Sequence, residues 1–431
     1  MRVTTTTGPA NEVMVAVNPT NPDNLIAVAK DYALGPTHKC DPSSETNAQA
    51  TGVWAGAYRS IDGGRTWEDQ LIPPTPTETS PYRCTTDPVV TFTPNGTAFF
   101  AGLGDVAGVG RDIWVAASKD GGATWIKTAT AYRGATVPST MDKEWLTADP
   151  RPGGHLFLAW TQDPVVARGW SEDGVHWSNA SLGDFTHDVN DLDCLQPGDP
   201  EVKTCSVVGA QPVISRNGDY YLAWANLPEP DIFVAWSKDA GETLAGSQRV
   251  AQPKPLAELS SGFRVETLPA LAVDTTGGPR SGNLYLVWQD EVDGNPDVYF
   301  ARSVDGGRNW SAPMRVTDDA PSPKLQFFPA VAVGPDGKLH VAWYDQRNDN
   351  DIAEDFLDVY YATSEDGGAT WSPNVRVTTG SFRPSLSHHQ SGIVFMGDYM
   401  GLAVGSDGVA HPVWTDTRNG RADIYAARVV P

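Results

Sequence analysis

The chain has 431 residues, of which 40% are hydrophobic, and it is rich in Trp, Gly and Pro, so it can bury a large core. Its formal net charge of −22 argues against nucleic acid and anionic membrane surfaces as partners. No apolar run reaches the length of a membrane span, so we expect no membrane insertion.

Short apolar runs bounded by Gly, Pro, Asn and Asp recur along the chain, and this pattern predicts β-strands. Each repeat begins with one such run, continues with a second that often ends in Ala-Trp or Val-Trp, and then has a third. This series occurs seven times, and no segment stands out with a helical period. The chain is therefore predicted to be all-β and repetitive.

An eight-residue motif follows the third strand of most repeats. It reads Ser-Ile-Asp-Gly-Gly-Arg-Thr-Trp at 60–67 and returns at 118–125, 303–310 and 364–371, with degenerate copies at 171–177 and 237–244. Successive copies start 53 to 66 residues apart. The Asp side chain can accept backbone N–H groups ahead of it, the glycines take positive φ, and the Trp packs onto the sheet. The motif therefore predicts a tight turn before a fourth strand.

The last repeat ends at Pro431 without a fourth strand, whereas the N-terminal residues 1–5 look like the fourth strands at 312–317 and 373–378. We predict that the N-terminal strand completes the last blade, which closes the ring and hides its edges. The predicted fold is an all-β, single-domain, seven-bladed β-propeller over residues 1–431. Its four-stranded blades are expected at about 11–75, 87–130, 143–182, 210–252, 267–318, 328–379, and 398–431 together with 1–7.

The repeated motif resembles the Asp box, or bacterial neuraminidase repeat, of sialidases and related proteins. The resemblance covers most of the chain, because the motif recurs from residue 60 to residue 371. It implies a β-propeller and a sialidase-like enzyme that acts on carbohydrate. Most sialidase catalytic domains have six blades, so the predicted count of seven departs from that family. Asp boxes also occur in propellers that are not sialidases.

The long loops are predicted to lie on one face of the propeller. The connections from first to second strand are mostly tight, and the Asp-box turns lie on that same face. The other connections carry the extra length, at 30–52, 72–87, 182–210, 344–356 and 379–397. Long loops on one rim of a rigid scaffold are where function is usually carried.

All four cysteines fall in these long loops, and neither a CxxC motif nor a Cys/His zinc spacing occurs. Cys40 and Cys84 lie in neighbouring loops, and Cys194 and Cys205 share one, so the predicted disulfides are Cys40–Cys84 and Cys194–Cys205. Two disulfides favour a secreted protein. No signal-peptide pattern follows Met1, so we expect a leader to be either absent or already removed.

Polar and charged residues stand at the starts of the innermost strands, beside the channel on the loop-rich face. The fold does not require charged residues at the start of a strand that lines a channel. Together, the polar and charged residues at these strand starts therefore predict a binding site. For each one alone, solvation or a salt bridge at the rim is the alternative. They are Asn11, Glu12, Arg83, Asp87, Asp142, Lys143, Glu144, Gln211, Arg264, Glu266, Gln326, Asp398 and Tyr399.

The resemblance to sialidases implies roles for several of these residues. In that family three arginines bind the substrate carboxylate, an Asp is the acid/base, and a Tyr activated by a Glu replaces the usual carboxylate nucleophile. Tyr399, after Asp398, matches the placement of the family's Tyr; Asp142 is the implied acid, and Glu144 or Glu266 the partner of the Tyr. The implied substrate ligands are Arg83, Arg264, Arg347, Arg418 and Gln326. The family's Arg-Ile-Pro signature is missing.

Acidic residues are dense between positions 345 and 358, where Asp345, Asp349 and Asp351 are candidate calcium ligands. Their spacing is not that of an EF-hand, so a solvated acidic loop is the alternative. No cofactor is expected to be required, and calcium, if bound, would be structural.

The first functional hypothesis is a secreted, monomeric, sialidase-like exo-glycosidase that acts on an acidic or deoxy sugar of a glycan. A non-catalytic propeller that binds glycan or protein through the same rim is the alternative from another class. A polysaccharide lyase, with Tyr399 or a His as base, is the third. Arginines clustered around Tyr399 would favour an enzyme for an anionic sugar.

Overall fold

The computed structural model describes residues 1–5, 8–33, 52–73, 80–106, 110–134, 141–162, 165–178, 181–182, 206–227, 230–350, 355–390 and 393–430. Within these residues the regular structure is almost entirely β-strand, with a short 3₁₀ turn at Pro384–Leu386. No helix in the described part is long or apolar enough to cross a membrane.

The strands form seven antiparallel sheets, each built in the order of the chain. Blade 1 contains β1 (Ala10–Val17), β2 (Leu25–Asp31), β3 (Trp54–Ser60) and β4 (Glu68–Leu71). Blade 2 contains β5 (Thr85–Phe92), β6 (Ala98–Val106), β7 (Gly110–Ser118) and β8 (Ile126–Tyr132). Blade 3 contains β9 (Met141–Ala148), β10 (Leu156–Gln162), β11 (Val165–Ser171) and β12 (Ser181–Leu182). Blade 4 contains β13 (Ser206–Ile214), β14 (Tyr220–Leu227), β15 (Ile232–Ser237) and β16 (Gly246–Ala251).

Blade 5 contains β17 (Ala270–Val273), β18 (Leu284–Val292), β19 (Asn295–Ser303) and β20 (Met314–Arg315). Blade 6 contains β21 (Gln326–Val333), β22 (Leu339–Asp345), β23 (Asp358–Ser364) and β24 (Val375–Arg376). A hairpin of β25 (His388–Gln390) and β26 (Ile393–Phe395) precedes blade 7, which contains β27 (Gly401–Val404), β28 (Ala410–Asp416) and β29 (Asp423–Ala426). The innermost strand of each blade contacts the next, and β27 contacts β1. The predicted seven-bladed propeller is therefore confirmed.

The N-terminal residues lie beside β29. The backbone N–H of Val3 donates to Ile424 O at 2.6 Å, and the N–H of Ala426 donates to Met1 O at 2.8 Å. The Val3 side chain is fully buried in a cluster that also contains Val413 and Ile424. The N-terminal residues thus hydrogen-bond to the last strand of blade 7, and the completion of that blade by an N-terminal strand stays a prediction.

The core lies between neighbouring blades. Each of seven apolar clusters joins two adjacent blades, and the strands of the inner rows are buried on both faces, which explains their near-continuous apolar sequences. The largest fully buried side chains are one tryptophan from each blade. They are Trp54, Trp114, Trp160, Trp224, Trp288, Trp343 and Trp414.

The repeated eight-residue turns share one hydrogen-bond pattern. In the turn of blade 5, Asp305 Oδ1 accepts the N–H of Asn309 at 2.9 Å and the hydroxyl of Ser303 at 2.9 Å. The Ser303 hydroxyl oxygen accepts the N–H of Gly307 at 2.9 Å. Gly306 and Gly307 have φ of 73° and 85°, where a side chain would be strained. These aspartates therefore hold a turn together.

Candidate functional site

Several innermost strands begin with a β-bulge on the loop-rich face. The first bulge residue has left-handed backbone geometry, with φ of 53° at Glu12, 51° at Asp87, 48° at Lys143 and 49° at Phe328. Such geometry costs roughly 1–3 kcal/mol for a residue other than glycine and tends to occur at functional sites. Three of these four residues are charged, and all three are buried, so the bulges set charged side chains around one point.

Two buried lysines pair with the acidic side chains Glu12, Asp87 and Asp398. Lys30, at the end of β2, forms an ion pair with Glu12, and its Nζ lies 3.2 Å from Asp87 Oδ1. Lys143 forms an ion pair with Asp398. Burial raises the pKa of Glu12 to about 8, against the opposing effect of Lys30. Glu12 therefore tends to keep its proton near neutral pH.

Asp398 joins two blades and one long loop. Its carboxylate accepts two hydrogen bonds from Arg264, from Nε at 2.9 Å and from Nη2 at 2.6 Å, besides the ion pair with Lys143. Burial alone would raise the pKa of Asp398, but Lys143 and Arg264 outweigh it and hold the pKa below its ordinary value. An ionised carboxylate so engaged can position Lys143 and Arg264 but is not free to react.

A polar cavity of about 410 Å³ opens beside these groups, and we call it the mouth pocket. It is lined by Arg111, Asp142, Lys143, Thr161, Arg264 and Glu266, among others. The side chains of Arg111, Asp142, Arg264 and Glu266 are 38%, 41%, 43% and 29% exposed. The pocket therefore presents two carboxyl groups and two guanidinium groups to solvent.

Asp142 is the carboxyl group in this pocket whose environment favours the protonated form. Arg111 Nη1 lies 3.2 Å from Asp142 Oδ1 and 3.1 Å from Met141 O. Burial and the neighbouring carboxylate of Asp87 raise the pKa of Asp142 to about 6, although Lys143 and Arg111 oppose the shift. The group can thus carry a proton in mildly acidic solution and release it near neutrality.

Glu144 and Tyr399 lie on the channel side of the same cluster. The Tyr399 ring packs edge-to-face against Trp145, with ring centroids 5.9 Å apart. Burial and the carboxylates of Glu12, Asp87 and Glu144 raise the pKa of Tyr399 well above its ordinary value. Burial and Asp87 likewise raise the pKa of Glu144. Neither group ionises readily in this state.

The other predicted substrate ligands have different surroundings. Arg347 pairs with Asp345 at 2.8 Å and with Asp318 at 2.7 Å, and Arg418 pairs with Asp416 at 2.5 Å. Both pairs belong to a Trp-x-Asp-x-Arg sequence in which the Asp also accepts the Trp indole N–H. Among the described contacts, none joins Arg347 or Arg418 to Asp398 or Lys143.

The last two predicted ligands lie at strand starts. Gln326 is buried and donates from Nε2 to Asp319 Oδ2 at 3.4 Å. Arg83 is half-buried, and its backbone N–H donates to Asp105 O at 2.9 Å. The structure thus brings Asp142, Glu144, Glu266, Arg264, Asp398 and Tyr399 together, whereas the two hydrogen bonds just given for Gln326 and Arg83 are made to residues outside this group. Substrate binding by those two residues stays a prediction.

The predicted calcium ligands are engaged with cations. Asp345 pairs with Arg347, and Asp349 pairs with Lys324 at 2.7 Å, whereas Asp351 lies outside the described residues. Within the described ranges, no group of three or more His, Cys, Asp or Glu is arranged to hold a metal ion. Calcium binding in this segment stays a prediction.

Cys84 is buried and disulfide-bonded. The two predicted pairings also involve Cys40, Cys194 and Cys205, which lie outside the described residues. The pairings therefore stay predictions.

Sequence reasoning missed two cations of the site, Lys30 and Arg111. Lys30 is the second-to-last residue of β2, and Arg111 the second of β7. A signal existed for Lys30, because a lysine near the end of the apolar strand Leu25–Asp31 needs a buried partner. Arg111 follows Gly110 at the start of β7, and its sequence context resembles that of an ordinary loop end.

No protein-family model and no curated protein matches the chain. Solved structures do match its fold. The GH93 α-L-arabinofuranosidase of Fusarium graminearum, solved with arabinobiose, is 14% identical over 80% of this chain and 91% of its own, with a TM-score of 0.51. The α-L-arabinanase of Penicillium chrysogenum, complexed with arabinobiose, is 17% identical over 78% of this chain and 88% of its own, with a TM-score of 0.50.

A leech intramolecular trans-sialidase is 13% identical over 98% of this chain and 68% of its own, with a TM-score of 0.42. That score is too low to support an argument. The sequence identities to the two arabinan-related enzymes are low, so the similarity shows the propeller fold and does not show the chemistry.

Proposed function

We propose that the protein is a glycoside hydrolase that cleaves an acidic sugar from a larger glycoside in the mouth pocket. The observation that carries the proposal is that Asp142 and Glu266 line one cavity together with two partly exposed arginines. The fold supports it by analogy, because an arabinofuranosidase and an arabinanase share this architecture.

Asp142 is the proposed general acid. Glycosidases use one carboxylic acid to protonate the leaving oxygen, and a raised pKa keeps that acid protonated until it is needed. The pKa of about 6 at Asp142 meets this requirement, and Arg111 fixes the orientation of the carboxyl group. The proton passes from Asp142 to the oxygen of the breaking glycosidic bond.

Glu266 is the proposed nucleophile or base on the other side of the sugar. Arg264 Nη1 lies 3.6 Å from Glu266 Oε1, so the guanidinium lies beside the carboxyl group that is to attack the sugar or activate water. Tyr399 is the competing nucleophile that the sialidase resemblance implies. Its surroundings oppose a phenolate, since burial and the neighbouring carboxyl groups, Asp87 and Asp398 among them, disfavour a negative charge there. We therefore assign the covalent or water-activating role to Glu266.

Arg111 and Arg264 are the proposed ligands for the anionic group of the substrate. A chain with a net charge of −22 repels anions at long range, so an anionic sugar needs cations at its binding site. Arg111 pairs with Asp142, and Arg264 pairs with Asp398. Each guanidinium group also has an exposed part that lines the pocket. Arginine suits a carboxylate because it can donate two parallel hydrogen bonds.

We also propose that the enzyme is extracellular and acts as a monomer on a glycan. The disulfide at Cys84 supports an oxidising compartment. Neither statement is needed for the catalytic proposal.

The test is a panel of aryl glycosides that carry a uronic acid, a sialic acid or a neutral pentose, assayed with wild type, Glu266→Gln and Tyr399→Phe. We expect turnover of an acidic glycoside, its loss in Glu266→Gln, and little change in Tyr399→Phe. Added azide should restore bond cleavage in a further variant, Glu266→Ala, if Glu266 is the nucleophile, because the shortened side chain leaves room for a small anion to take its place.

Other results would redirect the assignment. Loss of turnover in Tyr399→Phe, with activity kept in Glu266→Gln, would restore the tyrosine mechanism. An unsaturated uronate product would indicate a lyase. Glycan binding without turnover of any substrate would indicate a non-catalytic propeller.

A further inference from the structure

A second cavity, of about 390 Å³, lies at the centre of the propeller, and we call it the channel. Its walls come from the innermost strands of all seven blades. Small, partly exposed side chains keep it open, and they include Ala16, Thr91, Thr147, Val213, Ala270 and Ala403. The volume falls in the range of roughly 300–1,000 Å³ that is typical of small-molecule sites.

The channel is apolar except at the end that meets the mouth pocket. The charged residues in its lining are Lys143, Glu144 and Asp398, which all precede or begin their innermost strands on that face. The other side chains of the lining are mainly aliphatic, and the uncharged polar ones include Thr91, Thr147, Gln211 and Tyr399. An apolar wall in contact with water favours an apolar occupant, because transfer of that occupant from water is favourable.

The two cavities meet at Lys143, which lines both. Asp142 faces the mouth pocket, and Trp145 lines the channel, where its ring contacts Tyr399. Three residue steps along a strand span at most about 10 Å. The proposed acid therefore stands within a small molecule's length of the aromatic entrance to the channel.

We infer that the substrate is a glycoside whose aglycone is a neutral aryl or short alkyl group, and that the channel is the binding site of this aglycone. The inference rests on the proposed function for the location of the sugar. With the sugar in the mouth pocket, the glycosidic oxygen lies near Asp142 and the aglycone enters the channel past Trp145.

The reaction is then a hydrolysis with a defined leaving group. The bond between the anomeric carbon and the glycosidic oxygen breaks, and the proton of Asp142 passes to that oxygen, so the aglycone leaves as a neutral alcohol. Water supplies the hydroxyl group of the free sugar and returns a proton to Asp142. No oxidant or cofactor is required.

The kinetic test compares the methyl, benzyl and octyl glycosides of one accepted sugar. In wild type, KM should fall at least ten-fold from methyl to benzyl or octyl. Ala403→Phe and Thr147→Phe, which fill the channel, should remove this gain and leave KM for the methyl glycoside unchanged. Ile126→Phe, at a position that is 72% exposed, is the matched control and should behave as wild type.

A binding test separates this inference from the proposed function. Calorimetry with benzyl alcohol and 1-octanol should show binding to wild type and to Asp142→Asn, since neither measurement needs catalysis, and loss of binding in Ala403→Phe. Binding of the alcohols without hydrolysis of any glycoside would contradict the proposed function alone. Absence of alcohol binding, or equal KM values for all three glycosides, would overturn the aglycone site.

Discussion

The two faces of the propeller use the same carboxyl group in opposite ways. On the face of the repeated eight-residue turns, the side chain of Asn309 and the N–H of Asn309 donate to Asp305 and lower its pKa to about 2. On the loop-rich face, burial raises the pKa of Glu12 to about 8 and that of Asp142 to about 6. The difference arises from the surroundings and not from the residue type.

In the turn, the carboxylate is exposed to solvent and accepts hydrogen bonds from the protein, so its charged form is favoured. Its role there is to fix the backbone of the turn. At the mouth, carboxyl groups are buried beside one another, so one of them must keep a proton. A retained proton is what acid catalysis requires. Repeated aspartates thus hold the turns of the fold, while the strained strand starts carry the groups of the proposed chemistry.

The largest expected effect is on catalysis, from Asp142→Asn. The amide keeps the size of the side chain and its contact with Arg111 but has no proton to transfer, so turnover of an alkyl glycoside should fall about 10²–10⁴-fold. Turnover of an aryl glycoside with a good leaving group should fall far less, because that leaving group needs little protonation. Steady-state kinetics on the two substrates measure the difference.

Asp105→Asn is the matched control for this variant. Asp105 also faces Arg111, at 3.5 Å, and its side chain is 39% exposed, but it is not part of the mouth-pocket lining. Turnover should stay within a few-fold of wild type. Equal losses in both variants would show that the effect comes from disturbing Arg111 and not from losing the acid.

The next largest effect is on stability, from Asp398→Asn. The amide leaves the buried Lys143 and the partly exposed Arg264 without their carboxylate, and removing one partner of a buried ion pair such as Lys143–Asp398 costs roughly 3–5 kcal/mol. Activity should fall as well, because both cations line the mouth pocket. Urea denaturation and kinetics on the same sample test both effects.

Asp416→Asn separates these two effects. Asp416 is fully buried and holds Arg418 at 2.5 Å in blade 7, so its loss should also destabilise the protein. Activity per folded molecule should be retained. A variant Asp398→Asn as stable as wild type would contradict the view that this carboxylate holds the site together.

The pH dependence of stability should reflect the carboxyl groups on both faces of the propeller. Because Glu12 and Asp142 have raised pKa values, the folded state binds more protons than the unfolded state between about pH 4 and pH 8, and stability falls as the pH rises through this range. Asp305, with a lowered pKa of about 2, contributes stability above about pH 4 that is lost on further acidification. Thermal unfolding across this range should therefore give a maximum near pH 4–5, and a maximum at pH 7–8 would contradict this assignment.

The fold could be predicted because each blade repeats one local rule. The aspartate and glycines of the motif fix a turn within eight residues, and seven copies of three apolar runs fix the number of blades. Asp142, Glu266 and Asp398 could also be found, since innermost strands must begin around one channel. These elements depend on the spacing of residues along the chain, which the sequence displays directly.

The ion pairs of the site could not be predicted, because they join distant segments. Asp398 pairs with Arg264 and Lys143, which are 134 and 255 residues away. Lys30 and Arg111 come from a second and a third strand, where most other blades carry uncharged residues. Arg347 and Arg418 each form a local pair within a shared Trp-x-Asp-x-Arg sequence, and substrate binding by them stays a prediction.

The smallest expected effect is on the face of the repeated eight-residue turns, from Asp305→Ala. The change removes hydrogen bonds from the backbone N–H and side chain of Asn309, and the exposed turn should lose about 1–2 kcal/mol of stability with turnover unchanged. Glu365→Ala is the control, since Glu365 is 81% exposed and, among the described residues, forms an ion pair with Lys338 alone, at 3.3 Å, so its loss should cost less than about 0.5 kcal/mol. Reduced turnover per folded molecule in Asp305→Ala would mean that the turns take part in the chemistry. That result would contradict the view that the turns on this face have only a structural role.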